Sequence, residues 1–206
     1  MAQDPGPITG DFAVSPHFAR SHFGDSTSFE QEIALFADVV RGLQLDVAER
    51  LIAADPHSGM AVLSISTSYF EMIAKCREGY TGAGDAGKFF KKGLGWVLES
   101  MAQPLPDRDK RTIERVLWRE VRNGLYHAAV VGGAVVLTRA NPEMVMGTKY
   151  PASGAEVHIN PEALVRVLQQ HFSGYVLDLL NPANEELRAS FMRRFGIMKG
   201  AAARVH

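Results

Sequence analysis

The chain has 206 residues, of which 46% are hydrophobic and 22% charged, and its formal net charge of −1 points to no class of partner. This composition is typical of one soluble globular domain with a sizeable core. The single cysteine, Cys76, excludes an intramolecular disulfide and a cysteine-rich zinc site. No apolar run reaches the about 18 residues of a transmembrane helix, so we expect a cytoplasmic protein without a membrane partner.

Residues 1–26 are rich in Gly, Pro and Asp and lack the basic and then apolar order of a signal peptide. We expect an irregular segment there, one helical domain over residues 27–195, and a basic tail over 196–206. Five basic residues and no acid follow position 187, and they either extend a nucleic-acid surface or belong to a solvated end: Arg188, Arg193, Arg194, Lys199 and Arg204.

The first helix is predicted to start at a capping box formed by Thr27 and Glu30. Apolar residues then recur at spacings of three and four and predict one buried stripe: Ile33, Phe36, Val40, Leu43, Val47 and Leu51. Three more helices are predicted over 59–79, 88–103 and 108–127. The second is largely buried, and Gly93 and Gly95 weaken the third.

The residue pattern changes after the fourth helix. Short β-branched runs at 132–138 and 155–160 predict two strands of a β-hairpin insertion at about 133–160. Pro161 starts a fifth helix, and a last helix covers about 184–198. The core face of the fifth helix is predicted to hold Leu164, Leu168, Phe172, Tyr175 and Leu179. The fold class is therefore mainly α, a bundle of about five to six helices with a short β-hairpin between the fourth and fifth.

The segment from Gly82 to Lys88 contains the G-x-x-x-x-G-K spacing of a phosphate-binding loop. Phe89 stands where a magnesium-binding hydroxyl is required, and the preceding segment is predicted as a helix rather than a strand. We therefore expect an inter-helix loop. A weaker anion site at the next helix N-terminus, near Lys88, Lys91 and Lys92, and a nucleotide hydrolase that uses this loop stay open as alternatives.

Five arginines of the fourth helix fall within about 80° on a helical projection, with Tyr126 in the same sector and Trp118 at its edge. Such a row can bind a phosphate backbone while the rings stack on bases, although a solvated face is the alternative. These arginines are Arg108, Arg111, Arg115, Arg119 and Arg122. We select Arg111, Arg115, Arg119, Trp118 and Tyr126 as RNA-binding candidates.

The same helix ends in the sequence RNGLYH, residues 122–127. The spacing from Arg122 to His127 recurs from Arg166 to His171, so Asn123 is what distinguishes the first pair. In an unbroken helix Arg122 and His127 point about 140° apart. Either Gly124 lets the helix end unwind, or two copies of the chain face each other across a two-fold axis.

The motif Arg-Asn-x-x-x-His in a late helix of a mainly α chain resembles the HEPN superfamily. That resemblance implies a metal-independent endoribonuclease whose composite site forms in a homodimer, with Arg122, Asn123 and His127 as catalytic residues and no cofactor or metal. It also implies a toxin or defence effector with an antitoxin or a nucleotidyltransferase-type partner. Some members have lost catalysis, so a silent module that binds a nucleotide or a protein is the alternative.

Overall fold

The computed structural model describes residues 16–17, 27–128 and 131–202, and it describes the side chains of these residues except those of 126–128 and 199–202. The α-helices are α1 (Phe29–Val40), α2 (Asp46–Ala54), α3 (Gly59–Glu78), α4 (Ala86–Glu99), α5 (Asp107–Val116), α6 (Asn123–Ala128), α7 (Pro161–Leu180) and α8 (Glu185–Ala202). Two π-helical segments, Arg41–Leu45 and Leu117–Arg122, join α1 to α2 and α5 to α6. The described residues thus form six continuous helices, which confirms the predicted fold class.

Helix α3 lies at the centre of the bundle and packs against α2, α4, α7 and α8. Its C-terminus is capped by Gly79, whose left-handed φ of 63° lets the Tyr80 amide donate to the Lys75 carbonyl. Around α3 the core is strongly aromatic. The Phe36 ring of α1 lies 5.7 Å from that of Phe172 on α7 and 5.2 Å from that of Phe191 on α8. Aromatic contacts of this kind hold α1, α7 and α8 together.

The capping box of α1 lies one residue later than predicted. Ser28, not Thr27, is the N-cap; its hydroxyl accepts from the Gln31 amide while the Gln31 side chain accepts from the Ser28 amide. Thr27 instead donates its hydroxyl to Glu32. A glutamine at the third helical position can complete a capping box as well as a glutamate can. The helix begins at Phe29, so the box forms between Ser28 and Gln31 rather than between Thr27 and Glu30.

The buried stripe of the first helix changes register at the π-helical segment Arg41–Leu45. Ile33, Phe36 and Val40 are buried as predicted, but Leu43 is 54% exposed, and Val47 and Leu51 are only half-buried. The inward positions are Gly42 and Leu45 within the π-helical segment and Ala48 after it. A π-helical turn holds more residues than an α-helical turn, so a stripe projected at a constant angle fails beyond it.

The β insertion is a three-stranded sheet and not the simple hairpin that was predicted. Its strands are β1 (Val135–Leu137), β2 (Met146–Lys149) and β3 (Glu156–Ile159), in the order β1-β3-β2. The two predicted strands, β1 and β3, pair parallel, and the hairpin forms instead between β2 and β3. The second strand was missed because MGTK carries no alternating apolar pattern.

Helix α7 agrees closely with its predicted form. Pro161 is its first residue, and the buried Asn160 side chain caps it by accepting from the Glu162 and Ala163 amides. All five residues of the predicted core face are buried. Helix α8 continues to Ala202, beyond the predicted start of a separate tail at 196. Within the described part of the chain no helix is both long and apolar enough to cross a bilayer.

Candidate functional site

The candidate motif begins where a π-helical segment returns to an α-helix. The amide of Asn123 donates to the carbonyl of Trp118, five residues back, so the segment Leu117–Arg122 contains an extra residue directly before the motif. The backbone then stays α-helical from Asn123 to Ala128. The irregularity therefore includes Arg122 and ends there, and the described helix does not unwind at Gly124 as one of the two alternatives expected. π-Helical turns inside longer helices are frequent at functional sites.

Arg122 occupies a half-buried position between two helices. Its side chain is 26% exposed, and one guanidinium nitrogen lies 3.7 Å from Oε2 of Glu71 on α3. The guanidinium carbon also lies 5.3 Å from the centre of the Trp118 ring. The Glu71 carboxylate and the face of the Trp118 ring both attract the cation, and together they orient the Arg122 side chain.

Glu71 is shared between two cations. Its other oxygen, Oε1, accepts a 2.6 Å hydrogen bond from Nζ of Lys75, one turn further along α3. The Lys75 contact is the short one, and the distance from Glu71 to Arg122 exceeds that of a charge-assisted hydrogen bond. Glu71 thus sets the direction of the Arg122 side chain while its strongest bond goes to Lys75.

A cleft of about 410 Å³ opens beside this guanidinium. Its wall on α3 carries three hydroxyl residues at helical spacing together with Glu71, and the opposite wall carries Arg122 and Leu125: Ser64, Thr67, Ser68, Glu71, Arg122 and Leu125. Thr67 and Ser68 donate their hydroxyl protons to the carbonyls of Ser64 and Ile65 in the preceding turn of α3. The cleft thus places the Arg122 cation beside small polar groups and the carboxylate of Glu71.

The other motif residues are described to different extents. Asn123 is half-buried directly beside Arg122. The backbones of Tyr126 and His127 belong to α6, but their side chains lie outside the described residues. Positions 122 and 127 are still about 140° apart around the helix axis, since α6 is regular between them. Within one copy of the chain, the helix geometry does not bring these two positions to one face.

The predicted arginine row is exposed over most of its length. Arg108, Arg111, Arg115 and Arg119 are exposed, and only Arg122 turns inward after the π-helical segment. Nε of Arg119 lies 2.6 Å from Oε1 of Glu120, so the charge of Arg119 is compensated by an acid of the same helix. The basic face is therefore strongest over the α5 half of the row.

Trp118 is half-buried and packs against the aromatic core. Its ring centre lies 5.4 Å from that of Phe90, and Gly87 leaves space for its outer edge. Together with its contact to Arg122, this packing gives Trp118 a second role beside the predicted stacking on RNA: it holds the cation of the motif in place.

The segment Gly82 to Lys88 lies in the connection between two helices. Helix α3 precedes it, ending at Glu78, and α4 begins at Ala86, so the strand required by a nucleotide-binding loop is not what leads into Gly82. Two of the three lysines of the predicted anion site pair with acids: Lys91 with Glu114 at 3.2 Å and Lys92 with Glu78 at 2.5 Å. These contacts favour the inter-helix loop over an anion site.

Described basic residues of the last helix stabilise the bundle. Arg188 donates to the carbonyl of Leu179 near the end of α7, and its guanidinium carbon lies 3.8 Å from the Phe29 ring centre. Arg194 donates to the carbonyl of Tyr80. The side chain of Lys199 and all of Arg204 lie outside the described residues. The described contacts are those of helix-capping cations.

Sequence reasoning missed the hydroxyl wall and Glu71. The segment SISTSYFE predicts a helix with polar positions among apolar ones, but only the packing of α3 against the π-helical segment places those positions beside Arg122. The pattern Glu-x-x-x-Lys at Glu71 indicates an intrahelical pair with Lys75 and nothing about Arg122.

Over the described ranges, no three His, Cys, Asp or Glu residues converge as a metal site would require. No known family model matches the chain, and no curated protein or solved structure matches it either.

Proposed function

We propose that the chain is a HEPN-like, metal-independent endoribonuclease that cleaves RNA at a composite site in a homodimer. The observation that carries the proposal is the environment of Arg122: a half-buried guanidinium, held by Glu71 and Trp118, at the wall of a cleft lined by hydroxyls. A cation held in advance of binding is what stabilisation of a charged transition state requires.

The reaction follows from the chemistry of the motif. A base takes the proton of the 2′-hydroxyl, the 2′-oxygen attacks phosphorus, the bond from phosphorus to the 5′-oxygen breaks, and an acid protonates that oxygen. An imidazole, as at His127, suits either proton transfer at neutral pH, and a guanidinium, as at Arg122, binds phosphate oxygens. Asn123 orients His127 one helical turn away. The products are a 2′,3′-cyclic phosphate and a 5′-hydroxyl.

A composite site in a dimer would overcome the separation of about 140° between positions 122 and 127 in one protomer. Two copies that meet at the C-terminal ends of α6 bring Arg122 of one protomer and His127 of its partner toward the same phosphate. We therefore expect light scattering to show a homodimer at micromolar concentration. In the cell, we propose a cytoplasmic toxin or defence effector that is restrained by an antitoxin or a nucleotidyltransferase-type partner.

A catalytically silent module that binds a nucleotide or a protein is the second candidate. The separation of about 140° between positions 122 and 127 favours it, because one protomer does not bring the arginine and the histidine to the same face of the helix.

Cleavage of a mixed RNA pool in excess chelator distinguishes the two. We expect His127→Ala to lose about 10²–10⁴ in rate with nearly unchanged RNA affinity, because proton transfer acts on the transition state. Arg122→Lys should also be impaired, since an ammonium does not reproduce the two-pronged grip of a guanidinium. The matched controls, His57→Ala and Arg50→Lys, change exposed residues elsewhere and should cleave normally.

Thermal midpoints measured on the same samples separate catalysis from folding. An inactive His127→Ala with an unchanged midpoint supports the nuclease. A wild type that binds RNA without cleaving it supports the silent module, and full activity of a folded His127→Ala removes His127 from the mechanism.

A further inference from the structure

Tyr150 is a large aromatic residue that the fold leaves open to solvent. It directly follows β2, which packs against α5, and 42% of its surface is exposed. Exposed aromatic rings are usually mobile, but the contacts around Tyr150 hold it in one place beside the N-terminal turn of α5.

Three groups of α5 fix the Tyr150 side chain. Its hydroxyl donates a 2.6 Å hydrogen bond to Oδ1 of Asp109 and lies 3.4 Å from Oγ1 of Thr112. The guanidinium carbon of Arg108 lies 3.9 Å from the ring centre, well within the range of a cation–π contact. The hydrogen bond from Tyr150 also lowers the pKa of Asp109 below its usual value, which keeps this acceptor ionised.

The hydroxyl of Tyr150 is satisfied within the protein, so its polar group does not account for the exposure of the ring. The exposed part is an aromatic surface whose orientation is already set, and a rigid ring loses little conformational entropy on binding. One residue of the predicted arginine row, Arg108, is therefore part of the support of this ring.

The basic face of α5 continues from the ring. At 1.5 Å per residue, Arg111 and Arg115 lie about 4.5 Å and 10.5 Å along the helix axis from Arg108. Both are exposed, and neither forms an ion pair with the described residues 27–128 and 131–202. An aromatic ring at the end of a row of arginines is complementary to a single nucleic-acid strand, because the ring can stack on a base while the arginines bind the phosphates.

We propose that Tyr150 is a stacking platform for a base of single-stranded RNA, with Arg111 and Arg115 binding the adjoining phosphates. The proposal rests on the proposed function, because it names the substrate as an unpaired strand and assigns the surface that holds it. The platform lies on the β insertion, so the insertion contributes to substrate binding.

The test measures binding of a short 2′-O-methyl oligouridine, which cannot be cleaved by 2′-hydroxyl attack, by fluorescence anisotropy. An abasic strand of the same length and backbone is the matched probe. Tyr150→Leu removes the ring, and Tyr150→Phe keeps it. Tyr80→Leu is the control variant, since Tyr80 also donates to an aspartate, Asp85, but lies in the connection between α3 and α4. Thermal midpoints verify that each variant folds.

We expect Tyr150→Leu to bind oligouridine about tenfold more weakly and the abasic strand as the wild type does, because the lost energy is that of stacking. Tyr150→Phe and Tyr80→Leu should stay within about threefold of the wild type on both strands. If Tyr150→Leu binds oligouridine as the wild type does, or loses affinity equally for both strands, the stacking role of Tyr150 is wrong, but the proposed nuclease function is not contradicted. A wild type that binds neither strand refutes the RNA function itself, and the platform with it.

Discussion

Two glycines of α4 provide a matched pair for testing the helix packing of this fold. Gly93 and Gly95 both weaken the helix by intrinsic propensity, yet their surroundings differ completely. A Cβ on residue 93 would lie 1.9 Å from the carbonyl oxygen of Phe70 and 2.7 Å from its carbonyl carbon, both backbone atoms of α3. A Cβ on residue 95 would meet nothing within 4 Å.

The expected effects have opposite signs. Carbon and carbonyl oxygen normally stay about 3.3 Å or more apart, so Gly93→Ala forces α4 away from α3 by more than about 1 Å. Overpacking of this kind costs about 3 kcal/mol, against about 1 kcal/mol gained in helix propensity, for a net loss of about 2 kcal/mol. Gly95→Ala keeps only the gain of about 1 kcal/mol.

Thermal unfolding followed by far-UV circular dichroism measures both changes. For a chain of this size 1 kcal/mol corresponds to about 2–4 °C, so Gly93→Ala should lower the midpoint by about 4–8 °C and Gly95→Ala should raise it by about 2–4 °C. If the two variants shift the midpoint in the same direction, the close approach of α3 and α4 at Gly93 is wrong.

Two further predictions concern a histidine and the arginine row. Burial, assisted by Arg77 and opposed by Asp178, lowers the pKa of His171 to about 4, and the Tyr69 hydroxyl lies 2.8 Å from its Nδ1. In the unfolded chain the histidine has a pKa near 6.5 and binds a proton more readily than in the folded chain. The contribution of neutral His171 to the free energy of unfolding is therefore fully present above about pH 6.5, and about 2 kcal/mol is lost between pH 6.5 and 4 for this partly buried ring. Urea unfolding at pH 7 and pH 5 should show a smaller pH effect in His171→Gln, and an equal effect in both proteins would contradict the assignment. On the basic face, Arg115→Ala should reduce the slope of log affinity for single-stranded RNA against log salt by about 0.7, and Arg119→Ala by less, because Glu120 already compensates Arg119. Arg50→Ala on α2 is the control, and an unchanged slope for Arg115→Ala would make the row an ordinary solvated face.

Local signals in the sequence were sufficient for much of the fold. The helix α7 is the clearest case: Pro161 marks its start, and five apolar residues at spacings of three and four define its buried face. Hydrophobic period and capping depend on residues within one or two turns, so a single sequence contains them. The same holds for the exposed arginines of α5 and for the motif of Arg122, Asn123 and His127, whose residue types are visible in six letters.

Tertiary structure decided what depends on distant parts of the chain. The two π-helical segments moved Leu43 outward and turned Arg122 inward, and no local periodicity predicts an extra residue in a helical turn. The parallel pairing of β1 with β3 joins residues about twenty positions apart, and it left β2 to form the hairpin. Glu71 meets Arg122, and Tyr150 meets Arg108, only because α3 packs against the π-helical segment Leu117–Arg122 and β2 packs against α5. Such contacts arise from the burial of one element by another, and that burial depends on how the whole chain fills its core rather than on any local run of residues.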